Sequence, residues 1–195
     1  MHPVLSKNLF FVQEHTGVFK AANHYDILDP ETKEPLLYCR EVNLNFFTKI
    51  FRFTDYKRMT PFTLEIKMPD GERVLTVKRS FTIFRSNVEV FDENDKLIGT
   101  FKQKFLSLGG KFNVQDPEGN LLCTLKGKWT SWEFAFLQGD TQFAQVTKKW
   151  AGFGKEFFTT ADNYILHIEE SVPAENRLRL LIMAAVLCID MVLKE

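Results

Sequence analysis

Apolar and polar residues alternate in short runs over most of the chain, and turn residues separate the runs. Phe62, Leu64 and Ile66 fall on one face of an extended segment whose intervening residues are polar, a period typical of a half-buried β-strand. Turn tripeptides recur at intervals of 24 residues, and a fourth strand–turn–strand unit follows slightly out of step. The tripeptides are Pro69–Gly71, Glu93–Asp95 and Pro117–Gly119. This hairpin repeat predicts an antiparallel, mainly β barrel or sandwich.

Further strands are predicted on both sides of the repeat. Residues 8–20 have the pattern of one or two short strands, and residues 25–41 that of a hairpin. Residues 152–171 add one or two more, which brings the total to about twelve. Residues 42–60 break the alternation. Their pattern fits two alternatives equally well: a helix, or a strand followed by irregular chain.

The end of the chain contains the longest apolar run, Leu180–Ile189. This run predicts a helix over about residues 173–193, with Ser171 as its N-cap and Pro173 in its first turn. The run is shorter than the roughly 20 residues needed to cross a bilayer, and a helix that is apolar on all sides has to be wrapped. A barrel of about twelve strands is too wide for its own side chains to fill. We therefore predict one domain, residues 1–195, in which a closed barrel surrounds this helix. The helix residues expected in the core include Leu180, Met183, Leu187 and Ile189.

Composition and the absence of known motifs argue against several classes of function. Lys and Arg number 25, and so do Asp and Glu, so a general nucleic-acid partner is not expected. The three cysteines are far apart and form no CxxC pair, which indicates a reduced, intracellular setting, and no secretion signal is recognised at the N-terminus. Zinc-ligand spacing, GxSxG and P-loop motifs are absent from the sequence. We therefore expect a cytoplasmic protein that is not an enzyme.

Several segments together resemble the phospholipid scramblase family. These are a Lys-x-Trp motif ending at Trp150, the Phe-Thr-x-Ala-Asp-Asn-aromatic segment of residues 158–164, and a closing helix that contains Ile189-Asp190. Upstream, the segments NHYDILDPETKEPLLY and PFTLEIKMPDGERVL match the order of that family. The wider superfamily includes the plant LURP-one-related proteins and the tubby C-terminal domain. The resemblance implies a closed barrel around a central hydrophobic helix, which is also what the hydrophobic pattern predicts.

The resemblance also points to one candidate metal segment. Scramblases carry an aspartate-rich calcium segment just before the helix, but Thr160 and Ser171 stand where both outer aspartates are expected. Calcium takes about six to eight oxygen ligands, several of them from carboxylates, so we expect no cofactor and keep calcium as the one candidate. A turn followed by the acidic start of a helix explains the same residues without a metal. The candidate ligands are Asp162, Asn163, Glu169 and Glu170.

Two basic features are candidates for contact with phospholipid headgroups. In an aromatic-basic segment, Phe side chains would enter the headgroup boundary while Lys and Arg meet the phosphates; the alternative is an element that closes one barrel end. In a set of lysines at i, i+2 spacing, aligned hairpins would produce a positive stripe, as in the tubby-like headgroup binders; the alternative is an ordinary solvated wall. The segment comprises Phe46, Phe47, Lys49, Phe51 and Arg52, and the lysines are Lys102, Lys104, Lys126 and Lys128.

Three functional interpretations follow. The resemblance implies a non-enzymatic, scramblase-related barrel that lies peripherally on a membrane and binds anionic phospholipid. The alternative is a cytosolic barrel that binds protein partners and no lipid. A third, an enzyme with a pocket at one barrel end, requires convergent ionisable groups. None of the three involves a transmembrane span or a nucleic-acid partner.

Overall fold

The hairpins close into a barrel. In a computed structural model, the described residues form twelve antiparallel strands, each paired with its sequence neighbours, and β1 pairs with β12. The strands are β1 (Leu9–Glu14), β2 (His24–Leu28), β3 (Pro35–Val42), β4 (Phe62–Lys67), β5 (Arg73–Arg79), β6 (Asn87–Asp92), β7 (Leu97–Gln103), β8 (Lys111–Gln115), β9 (Leu121–Lys128), β10 (Glu133–Gln138), β11 (Thr141–Thr147) and β12 (Asn163–Ile168). A 3-10 helix, Pro3–Ser6, precedes them, and a long helix, α1 (Arg177–Leu193), follows them. The predicted barrel with one C-terminal helix is confirmed.

The structure describes most of the chain. The described residues are 3–15, 22–44, 46, 48, 54, 59–82, 86–104, 111–128, 131–148 and 163–193.

The two ends of the barrel differ. One end carries the short turns within the hairpins, such as residues 68–72 and 116–120, together with the start of α1; we call it the turn end. The other end carries the longer connections between hairpins, such as those after Val42 and Thr147; we call it the loop end. Consecutive hairpins therefore present all their long connections on the same side of the molecule.

The sequence repeat corresponds to a repeat of backbone geometry at the turn end. The third residues of the three tripeptides have positive φ angles, 94° at Gly71, 59° at Asp95 and 90° at Gly119. Each hairpin also contains a register shift next to its turn, which leaves one extra residue on the second strand. The extra residues in the five hairpins are Leu36, Val74, Ile98, Leu122 and Phe143.

These bulged residues help to close the barrel where α1 enters. All five are apolar and are buried in the core or packed against it. Ile98, Leu122 and Phe143 line a cavity of about 330 Å3 together with Leu178 and Leu181 of α1. The bulges therefore turn wall residues towards the helix at its first turn.

Helix α1 fills the barrel. Met183, Leu187 and Ile189 are buried, and Leu180 is half-buried against the core. The helix begins later than predicted, however, and the predicted cap at Ser171 is wrong. The cap is Asn176, whose Oδ1 accepts a hydrogen bond from the backbone N–H of Leu178 at 2.9 Å. Residues 169–176 are used instead in turns that carry the chain from the wall to the barrel axis.

The three cysteines are free and buried within this core. Burial raises the pKa of the Cys123 thiol to about 12, so thiolate chemistry is disfavoured there. They serve as small core residues.

A buried carboxylate organises the first hairpin turn. Asp29 Oδ1 accepts hydrogen bonds from the N–H groups of Glu31 at 2.8 Å and Thr32 at 3.0 Å. Its Oδ2 lies 2.7 Å from Lys7 Nζ. The hydrogen bond from Lys7, followed by that from Thr32, lowers the pKa of Asp29 to about 2. Asp29 therefore ties the N-terminal segment to the β2–β3 hairpin.

Replacement Asp29→Asn is expected to destabilise the protein by about 2 kcal/mol at neutral pH. Because the folded-state pKa is depressed below its usual 3.8, this contribution is complete above that value and is lost as the pH falls towards 2. Urea denaturation as a function of pH measures it. Asp70→Asn is the matched control, since Asp70 also accepts a turn N–H, that of Glu72, but is exposed. A wild-type advantage over Asp29→Asn that stays constant on acidification contradicts the assignment.

Candidate functional site

Outward-facing lysines meet at the loop-end rim of β7, β8 and β9. Lys111 faces Lys126 in the β8–β9 ladder, and the N–H of Lys104 donates to the carbonyl oxygen of Lys111 at 2.9 Å. These three lysines therefore occupy adjacent positions across three strands. Lys102 and Lys128 lie two residues along the chain from Lys104 and Lys126, so they share the outer face. We call these five residues the lysine cluster.

The core positions of the same strands force the lysines outward. Phe101, Phe112 and Leu125 point into the barrel and are buried. Because side chains alternate between the two faces of a strand, their neighbours Lys102, Lys111 and Lys126 point away from the core. Lys102, Lys126 and Lys128 are exposed. The hydrophobic pattern that builds the barrel thus also builds the cluster.

Across the strand ladders, the lysines of the cluster face mostly uncharged residues or another lysine. Lys126 faces Lys111 on one side and an alanine on the other, and Lys102 lies between two asparagines. Lys128 faces Glu133. Like charges directly opposite in a ladder repel each other, and a bound anion would offset that repulsion. The cluster is therefore a candidate anion site.

The structure brings together the four lysines that sequence reasoning selected, and it adds a fifth. Lys111 was missed because no second lysine lies two residues before or after it in the chain. A signal was present, since Phe112 and Val114 mark the inward face of β8 and place Lys111 on the outer one. Its position opposite Lys126, however, depends on the ladder register, which the sequence pattern alone does not specify.

Two exposed phenylalanines lie at the loop end. Phe46 is 71% exposed and Phe81 is 63% exposed. Phe46 belongs to the predicted aromatic-basic segment, whereas Phe81 follows β5 and was not selected from the sequence. Thr48, close to Phe46 in the chain, is buried. The remaining predicted residues of the segment, Phe47, Lys49, Phe51 and Arg52, lie outside the described residues.

A depression of about 250 Å3 lies between β3, β4 and β5 at the loop end. Its ionisable residues are Glu41, Lys78, Arg79 and Glu89. Glu41 Oε2 accepts hydrogen bonds from the N–H of Asn23 at 2.9 Å and from its Nδ2 at 3.0 Å. Arg79 donates from Nε and Nη2 to the carbonyl oxygen of Thr60 at 3.2 and 2.7 Å, and its guanidinium lies 4.8 Å from the ring centroid of Phe62. These contacts assign Glu41 and Arg79 to closure of the barrel rim.

Among the described candidate calcium ligands, Asn163 is not brought together with Glu169 and Glu170. Asn163 begins β12 at the loop end, whereas Glu169 and Glu170 follow β12 at the turn end. A strand of this length separates them by roughly 20 Å, so they cannot ligate one ion. Glu169 Oε1 accepts a hydrogen bond from Gln142 Nε2 at 3.1 Å, and Asp162 lies outside the described residues. Within the described part of the chain, no three His, Cys, Asp or Glu residues are placed to hold a metal.

Helix length bears on membrane association as well. Among the described residues, no helix is both long enough and apolar enough to span a bilayer.

Comparison with known proteins identifies relatives of this barrel. No curated protein matches the chain significantly. A protein from Arabidopsis thaliana solved by X-ray crystallography is similar in fold, with a TM-score of 0.55 and 14% sequence identity, over 94% of this chain and 90% of that one. The model of the family described as Scramblase matches residues 7–195. The chain therefore belongs to the scramblase family.

Proposed function

We propose that this barrel binds anionic phospholipid headgroups at a membrane surface and does so without catalysing a reaction. The observation that carries the proposal is the lysine cluster, in which Lys104, Lys111 and Lys126 are adjacent across three strands. Each basic residue near an anionic membrane surface contributes about 1 kcal/mol of attraction. Membership of the scramblase family supports a lipid ligand over other anions.

The filled interior supports binding on the outside of the barrel. Helix α1 occupies the barrel axis, and its residues Leu181, Ile182 and Val186 are buried. A headgroup therefore has no room beside the helix in the core and meets the protein on its outer wall or its ends. The non-enzymatic part of the proposal is supported by Glu41 and Arg79, whose charged groups hold the barrel rim together.

The double replacement Lys102→Gln/Lys126→Gln tests the proposal. Both residues are exposed and lie in the cluster, so we expect partition onto phosphatidylserine-containing vesicles to fall roughly thirtyfold, which corresponds to about 2 kcal/mol. Flotation with phosphatidylcholine vesicles, with and without phosphatidylserine, at low and high salt measures it. Because surface charges are screened by salt, wild-type binding should itself weaken at high salt.

A charge-matched control distinguishes the effect of the lysine cluster on vesicle binding from the effect of net charge. Lys96→Gln/Arg177→Gln removes the same two charges from exposed residues at the turn end, and we expect it to bind vesicles as the wild type does. Equal losses in both variants would mean that net charge alone drives binding. No flotation of the wild type at low salt would overturn the proposal and favour a barrel that binds protein partners instead.

A further inference from the structure

The two ends of the barrel carry opposite charge. The connections at the turn end contain thirteen Asp and Glu residues against three Lys residues, counted over residues 7–8, 29–34, 68–72, 93–96, 116–120, 139–140 and 169–176. The described connection residues at the loop end contain no Asp or Glu, whereas Lys104 and Lys148 are among them. The described connections are therefore acidic at one end of the barrel and basic at the other, although the net charge of the whole chain is zero.

The most exposed aromatic side chains of the described residues also lie at the loop end. Phe46 and Phe81 are the two most exposed large hydrophobic residues of the described chain, at 71% and 63%, and both lie at the loop end. Trp132, in the β9–β10 connection at that end, is half-buried and stacks on Tyr164 with ring centroids 5.7 Å apart. Lys148 Nζ lies 4.5 Å from the Trp132 ring centroid. Aromatic and basic side chains thus share one rim, a combination suited to the boundary between lipid headgroups and acyl chains.

We propose that the loop end is the face that docks on an anionic bilayer. Phe46 and Phe81 then enter the headgroup boundary, and the barrel axis points into the membrane at a steep angle to its plane. This orientation rests on the proposed headgroup binding. The lysine cluster lies at the rim of the same end, since Lys111 begins β8 and Lys128 ends β9, so it meets phosphates as the phenylalanines insert. The carboxylates of the turn end are repelled by the same surface. This repulsion favours the orientation in which the loop end, and not the turn end, faces the bilayer.

Site-specific labelling tests the orientation. The native cysteines are buried, so an environment-sensitive fluorophore can be attached selectively to Phe46→Cys, Phe81→Cys or Leu121→Cys. Leu121 is the matched control because it is 51% exposed at the turn end. With phosphatidylcholine–phosphatidylserine vesicles, we expect a blue shift and quenching by brominated lipid at positions 46 and 81, and neither at position 121.

Binding measurements give the second readout. Phe46→Ser/Phe81→Ser should lower vesicle partition by about tenfold, and Leu121→Ser should leave it unchanged. Two outcomes would overturn the orientation but not headgroup binding, provided that the protein still floats with vesicles. One is the absence of a blue shift and of quenching at positions 46 and 81, and the other is a blue shift at position 121. Loss of flotation in the wild type overturns both.

Discussion

Replacing Arg179 by Met is expected to destabilise the folded protein by about 3 kcal/mol. Arg179 lies in the first turn of α1 and is only 2% exposed. Burial lowers the pKa of its guanidinium, yet arginine stays charged at any working pH. The residue is therefore a buried cation whose hydrogen-bond partners have to come from the surrounding chain.

Those partners belong to two segments outside the helix. Nε donates to the carbonyl oxygen of Val172 at 2.9 Å, and Nη1 donates to those of Leu5 at 3.0 Å and Lys7 at 2.8 Å. Nη2 donates to Asn8 Oδ1. One side chain thus joins the start of α1 to the N-terminal segment and to the turn that precedes the helix. Met fills a similar volume but leaves four acceptors without this donor, and a buried unsatisfied acceptor costs roughly 1–3 kcal/mol.

Urea denaturation of two companion variants tests this role. Arg179→Lys keeps the charge but loses the planar fork that reaches several acceptors at once, so we expect about half the loss seen with Met. Arg177→Met removes an exposed arginine two residues earlier and should change the free energy of unfolding by less than about 0.5 kcal/mol. Similar losses at positions 177 and 179 would show that Arg179 acts through helix propensity and not through its buried hydrogen bonds.

Local patterns were sufficient to predict the architecture of this protein. Alternation at Phe62, Leu64 and Ile66 predicted an inward face, and the same three residues are buried. The apolar run of α1 predicted a helix that needs wrapping, and the barrel provides it. These features depend on neighbours in the chain, which is why a sequence pattern contains them.

Features that depend on distant partners were not predictable in the same way. The late start of α1 reflects turns in residues 169–176, which a Ser-x-Pro signal does not disclose. The place of Lys111 in the lysine cluster depends on the β8–β9 register. The buried role of Arg179 was not predictable, because three of its four acceptors lie more than 170 residues away in the chain.

The candidate metal segment shows why closeness in sequence is a weak guide to a shared site. Asn163, Glu169 and Glu170 are near one another in sequence, and proximity in the chain suggested a shared ion. An extended strand adds roughly 3.3 Å per residue, so β12 carries Asn163 and Glu169 to opposite ends of the barrel. Closeness in sequence indicates a shared site only when the intervening chain turns back.

Replacing Gly99 by Ala is expected to cost about 2–3 kcal/mol, which is the cost of overpacking. In most strand interiors this change is neutral or favourable, because glycine weakens a strand. Here a Cβ atom at position 99 would lie 2.6 Å from the carbonyl oxygen of Gln115 and 2.8 and 2.9 Å from the two δ-carbons of Leu181. The missing side chain at Gly99 thus leaves the space that Leu181 of the central helix occupies against the barrel wall.

A double-mutant cycle with Leu181 separates steric conflict from lost strand stability. Leu181 is buried in the core, so Leu181→Ala alone should cost about 2–5 kcal/mol by leaving a cavity. In Gly99→Ala/Leu181→Ala, the shortened side chain makes room for the new methyl group, and the methyl group fills part of the cavity. The double variant should therefore lose at least about 1 kcal/mol less than the sum of the single losses in urea denaturation. Strict additivity would show that the cost at Gly99 comes from the strand backbone near Gln115, and that the barrel wall and α1 are not packed against each other at this position.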